Sequence, residues 1–169
     1  MILRLSQKLA TKVKATAKRS LPLDSNQFAD WTGHLFTADK TQYVIVTNTA
    51  AIYSAVIFGR GITDDSRLIE RALSGIREVM AGDGLEFFYM QFIVPASGLV
   101  RLAPTLNRSV TGSMNDLVAQ AQIWLTDGGL SPYDTSFKLN GIPMSAIDYK
   151  YPREAMKSLS ATGDEESKQ

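Results

Sequence analysis

Between Asp65 and Ala81 the apolar residues Leu68, Ile69, Ala72, Leu73, Ile76, Val79 and Met80 recur at steps of three and four. That spacing places them on one side of a 3.6-residue helix and leaves the charged residues on the other, so an amphipathic helix is predicted. Thr63 or Asp64 can cap its start, and Gly82-Asp83-Gly84 ends it, since glycine accepts the left-handed conformation that closes a helix. A second helix is expected from Met114 to about Thr126, burying Leu117, Val118, Ala121, Trp124 and Leu125, with Gly128-Gly129 as its stop. At the start of the chain, Met1 to Leu5 reads as a short strand, and Leu5, Leu9 and Val13 then recur every four residues as a helical stripe.

Three segments alternate or run together in the manner of strands: Gly33–Thr37, Gln42–Thr47 and Ala51–Phe58. The polar pairs Asp39-Lys40 and Asn48-Thr49 separate them, which predicts a three-stranded meander. Tyr43 to Val46 is apolar on both faces, so helices should cover this strand from each side. Leu85–Val94, with Phe87, Phe88, Tyr89 and Phe92, reads as a further strand, as does Leu99–Ala103. Asp24 or Ser25 can cap a short helix through Trp31, docked by Phe28 and Trp31. From Leu130 to Tyr151 the prolines and Asn140-Gly141 leave room for short helical turns, and Pro152 can open a last helix carrying Ala155, Met156 and Leu159. The expected fold is α+β, with a mainly antiparallel sheet, two longer amphipathic helices packed against it and short C-terminal helices. One domain is expected over 1–159, followed by a disordered acidic tail over 160–169, where nothing larger than alanine is apolar.

The balance of 18 basic and 17 acidic side chains among 169 residues supplies no global field for nucleic acid or an acidic surface. The chain lacks cysteine, which excludes thiolate nucleophiles, disulfides and Cys-based zinc sites and suits the cytoplasm. The longest apolar run falls well short of the roughly 20 residues that cross a bilayer, so no membrane association is expected. Arg4, Lys8, Lys12, Lys14, Lys18 and Arg19 precede any acid, a transit-peptide charge pattern, but the leucine stripe makes these lysines the solvated face of a helix.

Candidate chemistry is sparse. His34 is the one histidine, no metal-ligand spacing occurs, and neither metal nor cofactor is expected. Neither a phosphate loop nor a G-x-G-x-x-G run is present, Gly59-Arg-Gly61 holding only part of the latter. In the segment from Asn107 to Asp116 a polar loop runs straight into an apolar helix. Arg108, Ser109 and Thr111 stand where free backbone N–H groups could help them hold an anion, and His34 could join them as acid or base. The competing structural reading is a capping box, in which Ser113 accepts from the third helical amide and Asp116 reaches back.

Met1-Ile-Leu-Arg-Leu5, Trp31 with Gly33-His-Leu-Phe-Thr37, the Val44 to Tyr53 strands and the N-R-S-x-x-G-S-M-N-D run of Asn107 to Asp116 resemble one uncharacterised bacterial family, a domain of unknown function. The resemblance spans most of residues 1–158 and implies an ordered first strand. It implies no activity, ligand or catalytic residue.

With no dense catalytic constellation, the expected function is that of a non-catalytic binding or protein-interaction domain, forming a homodimer because closed twofold dimers are the commonest oligomers. A phosphate-directed enzyme using His34 and Arg108, and a nucleic-acid binder using the basic first helix, are the alternatives.

Overall fold

A computed structural model describes residues 1–106 and 108–161. Asn107 and the last eight residues, with most of the expected acidic tail, lie outside the described residues. Ser160, where that tail was expected to begin, is held: its N–H donates to Gln27 Oε1 (2.8 Å) and its carbonyl accepts from the Gln27 N–H (2.9 Å).

Five strands, β1 (Ile2–Leu5), β2 (Asp30–Ala38), β3 (Thr41–Asn48), β4 (Ser54–Phe58) and β5 (Arg101–Pro104), form one sheet in the order β4-β3-β2-β1-β5. The β2–β3–β4 meander is antiparallel, as expected, while β1 pairs parallel with both β2 and β5. The sheet is therefore mixed, and mainly antiparallel by the length of its ladders. Asp39 and Lys40 both take positive φ, which makes the two-residue turn between β2 and β3 match the twist of its strands.

Among the described residues, six α-helices accompany the sheet: α1 (Gln7–Lys12), α2 (Asp65–Gly82), α3 (Glu86–Phe88, continuing as a π-turn over Tyr89–Ile93), α4 (Arg108–Thr126), α5 (Pro132–Leu139) and α6 (Pro152–Lys157). Both faces of the sheet are covered, as the two-sided apolar pattern of β3 requires. On one face Leu3, Leu5, Trp31, Val44, Val46 and Ala55 meet α1, α2, α6 and the 85–93 segment. On the other, Phe36, Tyr43, Ile45 and Val56 meet Met114, Leu117, Val118 and Ala121 of α4 and Leu139 of α5.

Three expectations are corrected. Leu85–Val94 is helical, because Phe88, Tyr89, Phe92 and Ile93 fall on one helical side while Phe87 faces out: Phe88 and Phe92 stack on Phe28 (5.7 and 4.7 Å between centroids), and Tyr89 and Ile93, four apart, are buried. The short helix before β2 is a single 3₁₀ turn, Gln27–Ala29, capped by Asn26, and Trp31 lies in β2. The helix expected from Met114 starts at Arg108; Val110 lies four residues before Met114, and both are buried against the same face.

The second face is not uniformly apolar. Toward the start of β1 and β2 it carries Arg4, Asp30, Thr32, Thr47 and Ser54, all buried. The Arg4 guanidinium donates from Nε and Nη2 to the two oxygens of Asp30 (2.9 and 2.8 Å) and also to the carbonyls of Leu21 and Pro22. Thr49 Oγ1 adds a 2.7 Å bond to Asp30 Oδ1. Each buried charge thus meets a geometrically matched partner, the condition under which such a pair is tolerated.

Candidate functional site: a cleft at the edge of β4

Strand β4 is an edge strand, and its alternate residues Ser54, Val56 and Phe58 turn their backbone groups away from β3. The register fixes this, since the Gly59 N–H bonds to the Gln42 carbonyl and the Asn48 N–H to the Tyr53 carbonyl. Unpaired edge groups invite foreign strands unless something occupies them. Here side chains do so. Asn140, at the end of α5, accepts from the Ser54 N–H (2.8 Å) and donates to the Ser54 carbonyl (2.9 Å). Ser136 Oγ accepts from the Val56 N–H (2.7 Å) and donates to the Pro132 carbonyl. At the far end Arg71 of α2 donates to the carbonyls of Phe58 (3.3 Å) and Arg60. Among the described residues, the Val56 carbonyl and the Phe58 N–H are left without a protein partner.

The residues that carry these two groups border a cleft of about 810 Å³ lined by Val56, Ile57 and Phe58 of β4, Arg60 and Gly61 beyond it, Arg71, Ser74, Gly75, Glu78 and Val79 of α2, and Ser131, Pro132 and Tyr133 at the start of α5. That volume lies within the range that small-molecule sites occupy, and the lining, mostly apolar with a few polar groups, has their usual chemistry. Two local features build it. Gly75 lets α2 approach β4, because a Cβ there would stand 2.5 Å from Ile57 Cγ2. Ser131 caps α5 by accepting from the Asp134 N–H, and Pro132 takes the first helical position, where its missing N–H costs nothing. Outside its lining, Tyr53 Oη donates to Asp83 Oδ2 (2.6 Å) and Arg153 Nε donates to Asp83 Oδ1 (3.1 Å), fixing the end of α2 to α6.

Arg60, Arg71 and Glu78 are the charged residues of the cleft. The side chains with displaced pKa lie elsewhere. Burial, then its hydrogen bond to Asp83, raises that of Tyr53; burial raises that of Tyr89; burial, then the nearby Lys8 cation, lowers that of His34. No cluster of three or more metal-ligating side chains occurs among the described residues.

The residues singled out from the sequence fall in another place. Arg108 and Thr111 border a shallow cavity of about 420 Å³ at the start of α4, shared with Thr105, Gly112 and Asn115. Ser109 is exposed in the same turn but does not border it. His34 is half-buried in β2 and does not line that cavity either. The capping box is corrected: with α4 beginning at Arg108, Ser113 is a buried residue inside the helix and Asp116 an exposed one a turn further on. The basic first helix is only six residues long, and its Lys12 donates to Gln42 Oε1. The β4 cleft escaped the sequence reading because its open groups are backbone. The signal nearest to it was Gly75, a glycine inside an otherwise well-formed amphipathic helix.

A family model described as a domain of unknown function, DUF6933, matches residues 2–155. The chain belongs to the DUF6933 family. The match runs from the first residue of β1 into α6, so the β4 cleft and the α4 cavity both lie within what DUF6933 defines. No curated protein matches the chain.

Proposed function

We propose that this DUF6933 domain is a non-catalytic binding protein that takes a small molecule into the cleft between α2 and α5. The observation that carries the reading is the pair of open backbone groups, the Val56 carbonyl and the Phe58 N–H, on two residues that line a cleft of ligand size. A polar pair facing a partly apolar cavity gives a ligand both orientation and a place to lose water. The test is a thermal-shift screen of small metabolites on the wild type and on Ser74→Trp, which puts a large ring into the cleft from an exposed position on α2. A ligand at a hundred times its Kd stabilises by about 2.7 kcal/mol, roughly 5–10 °C for a chain of this size. Shifts lost in Ser74→Trp support the reading; shifts retained there place the ligand elsewhere.

A second surface favours self-association. Phe87, Met90 and Val94 are 67%, 47% and 40% exposed, and their spacing of three and four sets them on one outer side of α3 and its π-turn, with Leu99 exposed shortly beyond. An exposed apolar stripe of this kind is a common dimer contact. We extend the proposal to a homodimer through this stripe, in the cytoplasm that a cysteine-free chain suits. Sedimentation should give a dimer for the wild type and a monomer for Phe87→Glu; a wild-type monomer at all concentrations removes the dimer and leaves the cleft untouched.

A further inference from the structure

We infer that the ligand of the β4 cleft is an adenine nucleotide, its base read by the Val56 carbonyl and the Phe58 N–H and its phosphate by Arg60; this rests on the cleft being a small-molecule site. A carbonyl at one residue and an N–H two residues later, both on the same edge of one strand, form an acceptor–donor pair. In a sheet they would serve a single residue of a parallel neighbour. A peptide cannot extend from that residue here. Ser54 is bonded through both its N–H and its carbonyl to Asn140, the Val56 N–H is held by Ser136, and the Phe58 carbonyl is held by Arg71. Four of the six outward groups of the edge are occupied, so an incoming strand would have to break them.

What fits two open groups is a short rigid edge bearing one donor beside one acceptor. The adenine base has such an edge, with its exocyclic amine as donor to the Val56 carbonyl and the adjacent ring nitrogen as acceptor from the Phe58 N–H. A planar bicyclic base also suits the rest of the lining, where Ile57, Val79 and Pro132 are apolar and Tyr133 adds an aromatic ring. The lining carries the charge a phosphate needs. Arg60 is exposed and has no carboxylate partner among the described residues, and Arg71 stands nearby with its guanidinium already oriented by two carbonyls. Glu78 is the one acid of the lining, so the balance of charge favours an anion.

The experiment is calorimetric titration of the full chain with AMP, adenosine, purine riboside 5′-monophosphate (which lacks the amino donor) and inorganic phosphate. It is run on the wild type, Phe58→Ala, Phe58→Pro and Arg60→Ala, with folding checked by circular dichroism. Phe58→Pro removes the outward N–H without touching the ladder to β3, a change an edge strand accepts, and Phe58→Ala controls for loss of the ring. AMP is expected to bind the wild type and to lose about tenfold in affinity in Phe58→Pro relative to Phe58→Ala, one hydrogen bond's worth. The purine analogue should lose a similar factor on the wild type, a comparison that stands even where Phe58→Pro does not fold. Arg60→Ala should bring AMP down to adenosine. AMP that does not bind at millimolar concentration, an analogue lacking the amine that binds equally well, or phosphate that binds as tightly as AMP overturns the nucleotide. Other metabolites whose thermal shift vanishes in Ser74→Trp would keep the cleft as a site while removing its nucleotide. If Ser74→Trp abolishes no shift at all, the small-molecule reading itself fails.

Discussion

His34 is the single histidine of the chain, so its titration can be followed without interference. Burial and the Lys8 cation hold its folded pKa below 6.5, whereas the unfolded chain returns it to that ordinary value. Above this pH the imidazole is neutral in both states and adds no pH dependence. As the pH falls, the unfolded chain takes the proton first, and stability declines until the folded pKa is passed. Urea unfolding between about pH 7 and pH 5 should therefore show a loss of stability in the wild type that is reduced in His34→Gln, with carboxylate titration common to both. Equal slopes would mean that the imidazole is already hydrated. Arg4 makes the opposite case, a cation that sequence alone would leave in water with its basic neighbours, yet it is 0% exposed. Its identity was legible and its environment was not, because Asp30 and the Leu21 and Pro22 carbonyls that receive it are distant in sequence. Arg4→Met leaves Asp30 with the Thr49 hydroxyl and the Asp24 N–H for partners, and should cost about 3–5 kcal/mol in chemical denaturation.

Among elements, α5 places two buried polar side chains on the edge of the sheet. Ser136 and Asn140, four residues apart and both 0% exposed, present their polar ends to the same strand edge. Ser136→Ala should cost about 1–3 kcal/mol, because the buried Val56 N–H loses its acceptor and little water can replace it. Asn140→Ala should cost at least as much, with two bonds removed, whereas Ser131→Gly at the exposed cap should cost only a few tenths. Comparable small losses at all three positions would show that α5 is held by Leu139 and its apolar neighbours instead. The elements themselves were readable to different degrees, for physical reasons. Helix α2 was clear from both its period and its ends, since Asp64 accepts from Arg67 and Gly84 takes φ of 74°. The 85–93 segment was not, since its aromatic run satisfies a strand as well as a helix until Phe28 is known to stack on one side of it. For α4 the polar first turns hid the start, and for β4 the sequence showed an apolar strand without showing that half its edge is taken by one helix.

At the scale of the whole molecule, the sheet order places β1 inside the sheet, between β2 and β5, although it is the first element of the chain. Its partners are reached at very different distances along the sequence: Ile2 pairs with Asp30 on one side and with Arg101 on the other. The β2–β3–β4 meander closes over short turns and can form early, whereas the β1–β5 ladder must wait for a long loop to close, at a cost in chain entropy that grows with its length. Destabilising substitutions in the meander, such as Val46→Ala, should therefore slow refolding, while Ala103→Gly in β5 should mainly hasten unfolding; the reverse pattern in stopped-flow measurements would place the long ladder in the folding nucleus. During synthesis, the consequence is a waiting period. The apolar underside of the nascent sheet, with Leu3 and Leu5 on it, stays without its last strand until Arg101 to Pro104 have left the ribosome, so chains stalled before Arg101 should aggregate more readily than the released protein.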